Sequence, residues 1–140
     1  MTDPSPAPSM SVNRKLKAHY SLLVVALLGG AFLYGPHQSA MPLGQWVLSC
    51  LVVGTFTALP LLGFVAAAFR PNPGRVSWLS FILLGYLIFG IVLAFSPRGL
   101  APGLAISAAT LSTFSYAVIW LRPFKKAAKA RNKAEASQQR

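Results

Sequence analysis

The chain has 140 residues, of which 54% are hydrophobic and only 11% charged, and its mean hydropathy is +0.55. A soluble domain carries about 25% charged residues, so the composition excludes an ordinary soluble protein and points to a membrane. Thirteen Lys and Arg against two acids give a net charge of +11, but these cations flank apolar runs, so membrane topology accounts for them and nucleic acid is not an expected partner.

Residues 1–13 hold Asp3, Pro4, Ser5, Pro6, Pro8 and Ser9, too polar to bury a core, and read as a disordered tail. Arg14, Lys15 and Lys17 then lead into a first apolar run over 18–35. At 1.5 Å per residue it spans roughly 27 Å, enough for a bilayer core if Lys17 snorkels. Gly35-Pro36 ends it. Pro42 opens a second run, 43–69, longer than a bilayer requires. Pro60 lies inside it and cannot bond the carbonyl of Phe56, which predicts a kink with Thr57 or a neighbouring helix covering the freed group. Cys50, in the same run, is the only cysteine. It excludes an internal disulfide and a cysteine-based metal cage, and reads as a small hydrophobe.

The segment Arg70-Pro71-Asn72-Pro73-Gly74-Arg75 reads as a short connector. A third run covers 76–95 and ends at Ser96-Pro97-Arg98-Gly99; a fourth covers 100–121, and a basic tail occupies 123–140. The domain plan is therefore a disordered tail over 1–13, a transmembrane domain over 14–122 and the basic tail. Twelve basic residues fall on the N-terminal flank, the second loop and the tail, against Arg98 alone on the other side. That bias predicts cytoplasmic termini, which four spans allow. The competing reading is a cleaved signal peptide ending near Gln38-Ser39-Ala40, leaving three spans; Gln38 is a poor fit where a small residue is wanted.

Several chemistries lack their residues. No Asp or Glu lies between Tyr20 and Leu121, which argues against a proton-coupled carrier built on a membrane carboxylate. The two histidines, His19 and His37, bracket the first run roughly 27 Å apart. They cannot share a metal or haem within one chain, although His37 could ligate with a partner chain. No serine has a histidine or carboxylate at its depth, so no catalytic residue, metal or cofactor is expected and the chain is read as a non-enzyme.

Small residues recur instead. Ala101, Ala105, Ala109, Thr113 and Ala117 repeat every fourth position, with Cys50, Gly54, Ala58 and Ala66 in the second run and Gly90 and Ala94 in the third. Such seams let helices approach closely, either closing the bundle or meeting a partner; Gly54, Ala58, Gly90, Ala105, Ala109 and Thr113 are the candidate interface. Trp46, Trp78, Trp120, Tyr20, Tyr34 and Tyr116 fall near span ends, as an interfacial belt would. Tyr86 is nearer mid-span and needs a hydrogen-bond partner inside the bundle. Lys125, Lys126, Lys129, Arg131 and Lys133, set among alanines, favour a helix that binds anionic lipid or a cytoplasmic partner.

Trp78-x-Ser80-Phe81, Tyr86 and Gly90, following Leu59-Pro60-Leu61-Leu62 and the basic connector, resemble a family of small proteobacterial inner-membrane proteins known only as a domain of unknown function, number twenty sixty-nine. The resemblance covers about residues 16–126. It implies a four-helix inner-membrane protein and carries no known activity. Members often have a polar residue before the third-helix glycine and an acid in the fourth helix. Here those places hold Phe89 and Ala105-Ile106-Ser107, which counts against any activity needing those groups.

The expected fold is an all-α four-transmembrane-helix bundle with cytoplasmic termini and a second helix kinked at Pro60. The expected function is that of a non-catalytic accessory or scaffold protein of the bacterial inner membrane, working through helix contacts within a larger membrane complex or a homo-oligomer. The alternative is a small oligomeric transporter or channel with its path near Pro60.

Overall fold

The computed structural model describes residues 10–35, 39 and 41–138. His37, Gln38 and the first nine residues lie outside the described residues. Five helices follow in order: α1 Met10–Tyr34, α2 Leu43–Leu62, α3 Val65–Phe69, α4 Pro73–Ala94 and α5 Leu100–Gln138. Four of them, all but α3, are long and apolar enough to cross a membrane. No more than 39% of any such span is buried within the chain. Side chains such as Phe56, Phe81 and Ile88 point outward, which hydrocarbon tolerates and water would not.

The helix bounds follow local chemistry. α1 starts at Met10, so residues 10–13, expected within the disordered tail, form its first turn. The connector contributes the start of α4: Asn72 accepts a hydrogen bond from Gly74 N at 3.1 Å as N-cap, and Pro73 occupies the first helical position. Residues 73–75, expected as loop, are therefore helical. The expected single run over 43–69 is divided. α2 passes through Pro60 and ends at Leu62, and Gly63-Phe64 separates it from the one-turn helix α3. Phe64 N bonds Leu61 O and Ala67 N bonds Phe64 O, both at 2.8 Å, so the chain tightens to three-residue spacing there. Pro97 and Arg98 turn the chain between α4 and α5, with Gly99 N bonding Ser96 O at 2.9 Å and Arg98 at φ 67°. α5 continues without a break through Pro123 to Gln138. The basic tail is thus an extension of the fourth span.

α4 and α5 form the closest pair, α1 lies against α5, and α2 leans on α1 while scarcely touching α4. The main core joins Tyr20, Leu23 and Leu27 of α1 to Leu61, Leu79, Leu83, Tyr86 and Ile106. A second cluster joins Leu16, Val76, Ala117, Trp120 and Leu121, with Val12 and Phe124 packed on it. It brings the α1 start, the α4 start and the far part of α5 to one end of the bundle. Arg14, Lys15, Lys17, Arg75 and Arg122 share that end, while Arg98 stands at the other.

Candidate functional site

The polar centre of the bundle is built around the interrupted end of α2. Pro60 has no N–H, so the Phe56 carbonyl loses its helical donor, and the turn at Gly63-Phe64 disturbs the next ones. Two tyrosines from other helices meet this segment. Tyr20 of α1, 2% exposed, donates its hydroxyl to Leu61 O at 2.5 Å. Tyr86 of α4, 8% exposed, donates to Thr57 O at 2.5 Å. The Thr57 hydroxyl donates to Val53 O at 2.8 Å, one turn back, and so does not cover the freed Phe56 carbonyl. The tyrosines hold two carbonyls that follow it, Thr57 O and Leu61 O. Tyr86 faces the bundle with a partner, as its mid-span place required. Tyr20 is a core residue and not a member of an interfacial belt, and sequence position alone could not separate the two.

Two cavities adjoin this centre. One, of about 180 Å³, lies among all four spans and is lined by Leu27, Gly30, Ala31, Val53, Phe89 and Ile106, among others. The second is a groove of about 430 Å³ open between α2 and α4, walled by Phe56, Pro60, Ile82, Gly85 and Phe89 over Thr57 and Tyr86. Thr57 and Phe89 line both. Of the polar lining groups, Thr57 and Tyr86 spend their hydroxyl protons on backbone carbonyls, and Tyr34 lines the smaller cavity beside them. The walls are mainly apolar and offer few partners for water or ions.

The candidate interface residues divide by position. A Cβ on Gly54 would meet the Ala31 methyl at 3.1 Å, so glycine lets α2 approach α1. Gly90 sits at the α4–α5 crossing, where a Cβ would fall 2.6 Å from Ser107 Oγ and 3.0 Å from Ser107 N. Ala58 and Thr113 are fully buried and Ala109 nearly so, with Thr113 donating to Ala109 O at 2.7 Å. Ala105 faces outward. It lines a shallow groove with His19, Ala26, Ala108 and Ser112. The fourfold row divides because each step of four residues advances about 40° around a helix of 3.6 residues per turn. Two residues that matter at the crossings were not singled out by pattern: Gly103, opposite Gly90, and Gly30, which faces Pro102 and Ile106.

The remaining marked residues have ordinary surroundings. His19 bonds Lys15 O through Nδ1 at 2.8 Å, and its ring meets that of Tyr116 at 4.5 Å with a 44° tilt. Ser80 bonds Val76 O within its own helix. Cys50 is buried at 0% exposure. Trp120, placed by sequence in the belt, is 2% exposed against Phe124, and its indole N–H has no acceptor among the described residues. Lys125, Lys126, Lys129, Arg131 and Lys133 all project from the exposed part of α5. Among the described residues, no group of three metal-ligating side chains comes together.

Neither a curated protein nor a solved structure matches the sequence. A family model does match, over residues 16–125, which takes in all the helices just described except the first turns of α1 and the end of α5. The chain belongs to that family, described as "Predicted membrane protein (DUF2069)".

Proposed function

We propose that the chain is a non-catalytic accessory protein of the bacterial inner membrane, working by helix contact with a larger membrane protein. The observation that carries this reading is the mainly apolar centre at the Pro60 level. Tyr20, Tyr86 and Thr57 all turn their hydroxyls onto backbone carbonyls, leaving apolar walls where a permeation path would want polar ones. The loosely held α2 is the contact surface, with Phe56 (75% exposed) and Leu48 and Leu59 beside it. The termini and the end carrying Arg14, Arg75 and Arg122 face the cytoplasm, in keeping with the excess of basic residues there. Pro60 bends α2 near its end, and Lys125, Lys126, Lys129, Arg131 and Lys133 engage anionic headgroups or an acidic cytoplasmic partner.

A tagged chain extracted from native membranes with a mild detergent should carry a stoichiometric membrane partner, and Phe56→Ala should reduce its yield several-fold. A chain that emerges alone or as a homo-oligomer, and conducts in vesicles, would reverse the ranking in favour of transport. Pro60→Ala should leave the partner in place and change stability by no more than about 1 kcal/mol, since spanning helices absorb a proline through neighbouring donors. Loss of a flux phenotype at normal expression in that variant would contradict this reading.

A further inference from the structure

The groove between α2 and α4 has a charged end. Along α4, Arg75, Trp78, Ile82, Gly85 and Phe89 follow at spacings of three, four, three and four, which sets them in one stripe. The last three wall the groove, together with Phe56 and Pro60 of α2. Trp78 precedes them, 67% exposed and suited to the headgroup boundary. Arg75 is exposed one turn further on. From Ile82 to Arg75 the helix rises roughly 10 Å, and the headgroup layer beyond the hydrocarbon is about 5–7 Å deep. The stripe thus runs from apolar wall through interfacial aromatic to cation within the length of a lipid's upper half. No carboxylate occurs between residues 20 and 121 to neutralise the arginine.

We infer that this groove is a binding site for one anionic phospholipid, with an acyl chain between α2 and α4 and the phosphate at Arg75. Its walls are mainly apolar, and the Thr57 and Tyr86 hydroxyls are spent on backbone carbonyls, so the part at membrane depth suits hydrocarbon. Guanidinium is the side chain best matched to a phosphate. Gly85 provides the room: a Cβ built there meets nothing within 4 Å. A larger side chain at that position would enter the groove and leave the helix packing alone. The site is separate from the α5 tail; it shares Phe56 with the contact surface proposed above, but its test in vesicles needs no partner.

The test is photolabelling of the full chain in phosphatidylcholine vesicles by phosphatidylglycerol carrying a diazirine in its acyl chain, against the same probe with a choline headgroup. The glycerol probe should label the wild type preferentially, with adducts on Phe56, Pro60 or Phe89. Gly85→Leu should abolish those adducts with both probes. Arg75→Gln should lower the preference for the glycerol headgroup about fivefold, as loss of one cation near an anionic surface would, while labelling by the choline probe persists. Equal labelling by the two probes in the wild type would overturn the inference. So would a preference that survives Arg75→Gln but disappears when Lys125, Lys126 and Lys129 become Gln, which would assign the lipid to the tail. Absence of adducts on Phe56, Pro60 and Phe89 with both probes would overturn it as well. Should Gly85→Leu fail to fold, the arginine variant still decides between these outcomes.

Discussion

Gly103→Val should abolish the folded bundle, or destabilise it by about 3 kcal/mol, the upper range for overpacking a close-packed site. At this crossing of α4 and α5, a Cβ on residue 103 would sit 2.7 Å from Gly90 O and press on the Ala94 backbone. Neither obstacle is the movable end of a side chain, so relief requires the two helices to separate. Their contact is the most extensive in the molecule, and in a bilayer no hydrophobic force between helices compensates for lost packing. The measurement is thermal unfolding of detergent-purified protein, with size-exclusion chromatography to detect aggregation. Gly29→Ala provides the reference, because its Cβ would meet nothing within 4 Å. Equal melting of the two variants would mean that α4 and α5 do not cross at Gly90 and Gly103.

The double replacement Tyr20→Phe and Tyr86→Phe should loosen α2 without dismantling the rest. Each change removes one hydroxyl from a backbone carbonyl of the interrupted α2 end, Leu61 O or Thr57 O. Side-chain hydrogen bonds between spanning helices are worth about 0.6–2 kcal/mol each, and both here bear on the helix that is otherwise held only by α1. The chain carries its own reporter: Cys50, on α2, is the single thiol and is wholly buried. Local opening of α2 should raise its rate of alkylation by a permeant maleimide on the order of tenfold. Each single variant should fall between wild type and double variant. An unchanged rate in the double variant would assign the retention of α2 to the Gly54–Ala31 contact instead.

The four spans were legible because membrane helices announce themselves by length and composition, and those properties survive whatever the helices pack against. Inward and outward faces were not legible to the same degree. Ala105 and Ala109 look identical in a row of small residues, yet the drift of the row sends one to the surface and the other into the seam. Tyr20 and Tyr116 both lie near the ends of apolar runs, but only Tyr20 meets a carbonyl exposed by a helix break on another span. A kink was expected at Pro60, but the helix runs through it and breaks instead at Gly63-Phe64, where α3 packs against α1 and α4. Gly103 was hidden beside Pro102, where a glycine reads as part of a helix start. The helical tail was foreshadowed by its alanines and its lysines at every fourth position; its fusion to the fourth span was not.

That fusion has a mechanical consequence. α5 counts 39 residues, about 58 Å of continuous helix, of which a bilayer core occupies about 30 Å. Roughly 28 Å therefore stands outside as a lever sharing an axis with the span that packs against α1 and α4. A tilt of α5 by about 10° within the bundle would displace its far end by roughly 5 Å. Lys133 rises about 16 Å above Arg122, beyond the ~8 Å over which charge is felt at physiological salt. The lower cations thus report on the bilayer surface and the upper ones on whatever the adjoining water brings within reach. The rod ties both to the crossing at Gly90 and Gly103.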